Sequence, residues 1–157
     1  MKKTLMAAIA ATALLPMISC GNNHTNVPEK GDEIFTGVLP AADCEGIRYT
    51  LKLDYDDDHG NLDGDYDLLE TYLVNDTTKK INHSDSVSYK TEGKFTVENG
   101  TGDKANVKYL KLVPDRNYTN GSTLYFIVDS DSQLTLTDAQ LNTSNTPGLN
   151  YTLKLVK

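Results

Sequence analysis

Hydrophobic and polar residues alternate along most of the chain from residue 34 onward. The clearest case is Arg48–Tyr55, where large apolar or aromatic side chains occupy every second position and polar residues lie between them. This period of two is typical of a β-strand with one buried face. Similar alternation or short apolar runs predict further strands at Ile34–Leu39, Tyr66–Val74, Val87–Glu92, Lys94–Glu98, Val107–Val113, Thr123–Val128, Gln133–Thr137 and Tyr151–Val156.

Turn-forming sequences separate these strands, among them Asn-Gly at 99–100 and 120–121 and Thr-Pro-Gly at 146–148. The one hint of a helical turn is Asp138-Ala139-Gln140. About eight short strands predict an all-β fold in the form of a small antiparallel barrel, because closing the sheet removes its exposed edges. A two-sheet sandwich is the alternative that the same pattern allows. The nine tyrosines are expected to line the barrel or pack at its rim.

The first twenty residues have a different pattern. Met1–Thr4 is basic, and Leu5–Ile18 is apolar except for one threonine. This run is shorter than the roughly twenty residues that a helix needs to cross a bilayer, so residues 1–19 are predicted to be a cleaved signal peptide. Its end, Met-Ile-Ser-Cys20, resembles the lipobox at which bacterial lipoproteins are processed, which makes Cys20 the predicted lipidation site.

Acylation of Cys20 with two or three chains, such as palmitate, would anchor the protein firmly to a membrane. Gly21 follows the cysteine, in place of the aspartate associated with inner-membrane retention, so the bacterial outer membrane is favoured; its periplasmic and surface faces both stay open. Residues 20–33 lack apolar periodicity and are predicted to be a lipidated, flexible tether. Residues 34–157 form the predicted barrel domain.

Charge and cysteine content narrow the partners. The chain has 157 residues and a net charge of −7, and loss of Lys2 and Lys3 with the signal peptide changes this to −9. An acidic surface argues against nucleic acid, which needs clustered Lys and Arg. With Cys20 acylated, Cys44 is the one remaining thiol, so no disulfide can form within the mature chain.

The stretch Thr36–Ile47 reads TGVLPAADCEGI. It resembles the N-terminal domain of NlpE, an outer-membrane lipoprotein family tied to copper resistance and envelope-stress signalling, in which TGVLP, a C-x-x-C pair and EGI lead into an alternating strand. The stretches Tyr89–Phe95 and Asn150–Leu153 are weaker echoes of the same family. The resemblance implies a lipocalin-like barrel that binds or senses and has no enzymatic activity.

The chain departs from this family pattern at its metal-binding cysteines. Cys44 matches the second cysteine of the pair, whereas Ala41 stands at the position of the first. Two thiolates can bind Cu(I) or form a reversible disulfide, and one thiolate alone does neither. Asp43, Cys44 and Glu45 are the residues predicted to bind a ligand or metal at the barrel mouth. The competing interpretation is that Cys44 is a small packed side chain.

An acidic segment, residues 54–70, partly fits the pattern of a calcium-binding loop. The carboxylate and amide ligands that this alignment predicts are Asp58, Asn61, Asp63, Asp67 and Glu70. Strand-like flanks exclude an EF-hand. A solvated acidic hairpin loop is the alternative, because runs of charge usually face water.

No nucleotide-binding or hydrolase motif occurs in the sequence. The sequence therefore predicts a non-enzymatic, NlpE-like binding or sensing module in envelope stress or copper response, with an envelope protein or small ligand as its unknown partner. Two alternatives stay open. One is a lipocalin-type carrier of a small apolar ligand, and the other is a structural surface module whose acidic loop binds calcium.

Overall fold

Eight strands follow one another along the part of the chain that the computed structural model describes, residues 32–42, 44–73, 87–118 and 121–157. They are β1 (Glu33–Leu39), β2 (Gly46–Tyr55), β3 (Asp63–Leu73), β4 (Val87–Asn99), β5 (Lys108–Pro114), β6 (Leu124–Ser130), β7 (Gln133–Thr137) and β8 (Thr152–Leu155). The predictions for the signal peptide, Cys20 and the tether up to residue 31 lie outside the described residues. Within those ranges no helix has the length and apolar character needed to cross a membrane.

Each strand pairs antiparallel with the next, and the last returns to the first. Phe35 lies opposite Leu155 in the closing β1–β8 ladder. Beyond that short ladder, the Ile34 amide donates to the Lys157 carbonyl at 2.8 Å, and the Val156 amide donates to the Ile34 carbonyl at 2.8 Å. The predicted all-β barrel is confirmed. The two-sheet sandwich is wrong for this chain, because the ladder is continuous around the sheet.

Because side chains alternate along each strand, every second side chain points into the barrel. The predicted strand at residues 48–55 behaves in this way, with Leu51 and Leu53 fully buried and Lys52 on the outside. The core contains all three phenylalanines and rows of leucine: Phe35, Phe95, Phe126, Leu39, Leu51, Leu53, Leu68, Leu110, Leu112, Leu134 and Leu153. Burial of these side chains is the main force that stabilises the fold.

Two sequence predictions are corrected by the structure. Strands predicted at residues 87–92 and 94–98 are one strand, β4, which passes through Gly93 without a break. Gly93 is needed there because a Cβ atom would lie 2.8 Å from Pro114 Cα and 2.9 Å from Tyr66 Cε1. The hint of a helical turn at 138–140 is instead a capped turn, in which the Asp138 carboxylate accepts the amide of Gln140 at 2.9 Å.

The barrel has two different ends. The base carries the β2–β3, β4–β5 and β6–β7 connections and both ends of the barrel sequence, Asp32 and Lys157. The mouth carries the β1–β2, β5–β6 and β7–β8 connections, together with Leu73 at the end of β3 and Val87 at the start of β4. A short 3-10 turn, Asp57–His59, lies in the β2–β3 connection at the base.

Candidate functional site

The mouth of the barrel contains a cavity of about 690 Å³. Its wall is formed by the mouth half of β3, the start of β4 and the β5–β6 connection. The wall contains an aliphatic part, four tyrosines and two charged residues, and these are Leu68, Leu124, Tyr66, Tyr72, Tyr89, Tyr118, Glu70 and Lys90. This volume lies within the range of about 300–1,000 Å³ that is usual for small-molecule sites.

The cavity exists because β4 is longer than its neighbour β5. Pairing between these strands runs from Asn99 to Gly93, which lies opposite Pro114 at the end of β5. Residues 87–92 of β4 continue towards the mouth, where the β5–β6 connection takes the place of a paired strand. That connection is held to β4 at Glu92, whose carbonyl accepts the Asp115 amide at 2.9 Å and whose carboxylate accepts the Tyr118 phenol.

Glu70 places a carboxylate on the inner face of the mouth. In the ladder it lies between Tyr49 of β2 and Tyr89 of β4, on the same face as buried Tyr66 and Leu68. Burial raises the pKa of the Tyr49 phenol well above its usual value, and a hydrogen bond to the Glu70 carboxylate adds to the effect. Burial raises the pKa of Tyr66 to about 12, and the charges of Asp115 and Glu70 contribute to this rise.

Lys90 borders the cavity, but its ammonium group is engaged on the outer face of the barrel. It contacts the Glu92 carboxylate and lies 3.5 Å from the Asp67 carboxylate. Hydrogen bonding to Glu92 raises the pKa of Lys90, so the group stays protonated. The carboxylates of Glu92 and Asp67 therefore balance the charge of Lys90, and the carboxylate of Glu70 gives the cavity wall a net negative charge.

Aromatic rings surround the entrance of the cavity. The rings of Tyr72 and Tyr89 pack edge to face, with centroids 5.6 Å apart and planes at 81°. Tyr89 is 58% exposed, so much of its ring is available to a bound molecule. The expectation that tyrosines line the barrel or pack at its rim is met by these two residues and by Tyr66 and Tyr118.

Cys44 and Glu45, two of the predicted metal-binding residues, lie in the β1–β2 connection at the same end. Cys44 is a free, half-buried thiol that donates a hydrogen bond to the Gly46 carbonyl, with sulfur and oxygen 3.2 Å apart. The Glu45 amide donates to the Leu73 carbonyl at 3.1 Å. Asp43 lies outside the described residues. In the part of the chain that the structure describes, no group of three metal-ligating side chains includes Cys44, so copper binding here stays a prediction.

The structure divides the predicted calcium-binding residues between two faces of the barrel. Asp67 points outward to Lys90, whereas Glu70 points into the cavity, so their carboxylates cannot share one ion. Asp58 and Asn61 lie in the β2–β3 connection at the base, and Asp63 begins β3. The predicted set is therefore not brought together as one site.

A different group forms at the base in its place. The ligating atoms of Asp56, His59 and Asp63 all lie within 4.8 Å of one another. His59 Nδ1 is 3.1 Å from an Asp63 carboxylate oxygen and 3.7 Å from one of Asp56. Asp56 and its contact with His59 were missed by the loop alignment, which began one turn later in the same acidic segment.

Glu70 and its tyrosine neighbours were also missed as a group by the sequence analysis. The calcium alignment treated Glu70 as a loop ligand, although β3 alternates inward residues at Tyr66, Leu68, Glu70 and Tyr72. That alternation was the available signal. Read as a strand, it places the glutamate on the inner face of the barrel.

A model of the NlpE N-terminal domain matches residues 35–147. The chain belongs to the NlpE N-terminal domain family. The matched segment of this NlpE domain runs from β1 into the β7–β8 connection and contains both Cys44 and the mouth cavity, so the resemblance first noted at residues 36–47 extends over most of the barrel. No curated protein and no solved structure matches the chain. Membership supports an envelope lipoprotein of a non-enzymatic family.

Proposed function

We propose that this NlpE domain is an outer-membrane-anchored binding module that takes a small ligand into the mouth of its barrel and senses it there. The mouth cavity is the observation that carries the proposal. It combines a volume suited to a small molecule with a charged group, several phenols and an aliphatic wall, which is the usual make-up of a ligand site. The base, in contrast, is filled by its own side chains.

The test is native mass spectrometry of the chain purified from membranes in a mild nonionic detergent, together with thermal melting against a panel of small molecules. We expect a ligand that raises the melting temperature, since a molecule that binds only the folded state stabilises it by mass action. Thr91→Phe, which places a ring inside the cavity, should abolish the shift. Ser88→Phe places the same ring on the exposed outer face of β4 and should leave the shift unchanged.

Membrane attachment is tested separately. Cys20→Ala should move the protein from the membrane fraction to the soluble fraction and remove incorporation of labelled palmitate, because the acyl chains supply the membrane affinity. Retention of Cys20→Ala in the outer-membrane fraction would contradict the proposed anchor. The barrel termini lie at the base, so a tether from Cys20 would join the barrel at the end opposite the cavity.

The carrier of a small apolar ligand uses the same cavity and differs in the ligand that it predicts. Organic extraction of the purified protein should then release a lipid or another apolar molecule, whereas the sensing module should release none and bind a polar ligand when it is added. Glu70 and the phenol groups in the wall favour a ligand with a polar part.

A second candidate function is the calcium-binding surface module. The observation that favours it is the close group of Asp56, His59 and Asp63 at the base, where carboxylate oxygens suit a hard cation. Melting with calcium and then with chelator tests it. Asp63→Asn should remove any stabilisation by calcium, while His59→Gln should retain it, because calcium prefers oxygen ligands to imidazole.

A further inference from the structure

The charged side chains of the cavity wall leave an excess of negative charge. Glu70 faces the interior, where the neutral phenol of Tyr49 is its hydrogen-bond donor. Within the described wall Lys90 is the single cation, and Asp67 and Glu92 hold its ammonium group on the outer face. A bound molecule therefore meets an excess of negative charge, and an anionic ligand would be repelled.

The Tyr66 phenol, which lies in the cavity wall, is near a second carboxylate besides Glu70. Tyr66 is only 4% exposed, and its pKa is raised by burial and further by the charges of Asp115 and Glu70. Two carboxylates on different elements thus act on one group in the cavity wall. Asp115 therefore adds a second negative charge near Tyr66, beside that of Glu70.

The tyrosine rings complement this charge. An ammonium group binds to the face of an aromatic ring within about 6 Å of its centre, because the face carries negative charge density. The Tyr72 and Tyr89 planes meet at 81° at the entrance, so they present faces in two directions. Buried Tyr66 and, from the β5–β6 connection, Tyr118 add two further rings to the wall.

The composition of the wall also distinguishes an organic cation from a metal ion. A hard metal ion needs several oxygen ligands around one point, whereas Glu70 is the one carboxylate that the described lining turns inward. The volume of about 690 Å³ exceeds what an ammonium group alone occupies. Leu68 and Leu124 provide an apolar surface for an attached alkyl chain.

We propose that the mouth cavity selects an organic cation, an alkylammonium compound whose charged nitrogen lies between Glu70 and the tyrosine rings and whose alkyl chain packs on Leu68 and Leu124. This inference rests on the proposed function, because it specifies the ligand class of the same cavity. It assigns Glu70 the charge recognition and Tyr72 and Tyr89 the aromatic contact.

The test compares three molecules that share one alkyl chain and differ in charge: hexylammonium, hexanol and hexanoate. Each is titrated against the whole chain in a nonionic maltoside detergent, with a protein-free blank. The sequence contains no tryptophan and nine tyrosines, and four of these tyrosines line the cavity, so the change in tyrosine fluorescence on titration includes the signal of this site. We expect hexylammonium to bind about tenfold more tightly than hexanol, and hexanoate most weakly. Equal or tighter binding of hexanol or hexanoate would overturn the inference.

Glu70→Gln removes the charge and keeps a hydrogen-bonding group of the same size. It should weaken hexylammonium binding by about tenfold and leave hexanol binding unchanged. The matched control is Glu98→Gln, because Glu98 also accepts a tyrosine hydroxyl, that of Tyr109 at 2.6 Å, but lies outside the cavity. Full hexylammonium affinity in Glu70→Gln would overturn the role of Glu70.

The aromatic contact has its own pair of variants at exposed Tyr89, where the fold tolerates substitution. Tyr89→Phe keeps the ring and should keep the affinity for hexylammonium within about twofold, whereas Tyr89→Leu should lower it about threefold or more. Tighter binding of hexanol than of hexylammonium would refute cation selection and leave the binding module intact. Failure of all three molecules and of the wider ligand panel would refute both proposals.

Discussion

The two ends of the barrel repeat one arrangement with different results. At the base the Tyr55 hydroxyl donates to the Glu33 carboxylate at 2.9 Å, and at the mouth the Tyr49 hydroxyl is hydrogen bonded to the Glu70 carboxylate. At the base the Tyr55 ring packs edge to face on Phe95, with centroids 5.0 Å apart. The space left there is about 40 Å³, against about 690 Å³ at the mouth.

Strand alternation alone does not produce this difference, because β2, β3 and β4 run through both ends with continuous pairing. On β4 the inward residue towards the base is Phe95, whereas Tyr89 and Thr91 face the cavity towards the mouth, with Glu70 beside them on β3. The early end of β5 also removes one wall strand at the mouth. From this comparison we expect substitutions of the filled positions at the base to lower stability more than substitutions around the mouth cavity.

The largest effect should come from removing the phenylalanine at the base. Phe95 is 1% exposed, so Phe95→Ala should lower the free energy of unfolding by about 3–5 kcal/mol through lost burial and the cavity left behind. Tyr89→Ala at the mouth should change it by about 0.5 kcal/mol or less. Urea denaturation of both variants measures this. Equal destabilisation by the two substitutions would contradict the expectation that the base contributes more to stability than the mouth.

A smaller effect is expected at the junction between base and mouth. Gly93 is the β4 residue nearest the mouth that pairs with β5. A Cβ atom there would press on Pro114 and the Tyr66 ring. Gly93→Ala should therefore lower the free energy of unfolding by about 1–3 kcal/mol, as overpacking of a filled site does. Gly60→Ala is the control on space, because nothing lies within 4 Å of a Cβ there, although its positive φ adds some strain. Wild-type stability of Gly93→Ala would show that β4 and β5 can separate at no cost.

Alkaline pH should weaken the fold through its buried phenols. The pKa values of Tyr49 and Tyr66 are raised in the folded protein, so their contribution is complete below the unfolded value of about 10 and is lost as the pH rises towards the folded values. Above about pH 10 and below its folded pKa, each phenol should lower the free energy of unfolding by about 1.4 kcal/mol per pH unit. Urea denaturation between about pH 9 and 11 measures how the slope grows towards this value. Tyr49→Phe should reduce the slope, and an unchanged slope in this variant would contradict the assignment.

The smallest effect is expected at Cys44. Its thiol hydrogen bond to Gly46 can be replaced by a hydroxyl, so Cys44→Ser should change the free energy of unfolding by about 0.5 kcal/mol or less. Native mass spectrometry with Cu(I) under reducing conditions tests the copper prediction for the same variant. A copper ion held by the wild-type chain and lost from Cys44→Ser would confirm that this thiol binds the metal, and no retained copper in either form would contradict the prediction.

Most of the fold could be predicted from local patterns. Residues 48–55 alternate so regularly that one register buries their apolar face, and the same holds for shorter runs, which is why the barrel was predicted correctly. The break at Gly93 was predicted wrongly because glycine is usually read as a turn. The glycine is instead required inside the strand, because Tyr66 and Pro114 of neighbouring strands approach it closely.

The candidate site could be predicted only in part. A rim of tyrosines followed from composition and alternation, whereas the calcium alignment joined Asp67 and Glu70 because it counted spacing along the chain. In a strand, residues three apart point to opposite faces, so that spacing separates the two carboxylates. Asp56 joins His59 and Asp63 through a tight turn, whereas the loop alignment began at His59 and left Asp56 out.

The sequence by itself determined the strand content and the family, because alternation and the TGVLP and EGI motifs are local properties of the chain. The pairing of β8 with β1 decided between the barrel and the sandwich, both of which the alternation allowed. Tertiary structure alone decided that the described residues surround a cavity of about 690 Å³ at the mouth and one of about 40 Å³ at the base. That outcome depends on the register between strands far apart in sequence and on β5 ending opposite Gly93, before β4 reaches the mouth. Glu70 and the tyrosines share a cavity because strand pairing turns them to one face, and no spacing along the chain specifies that meeting.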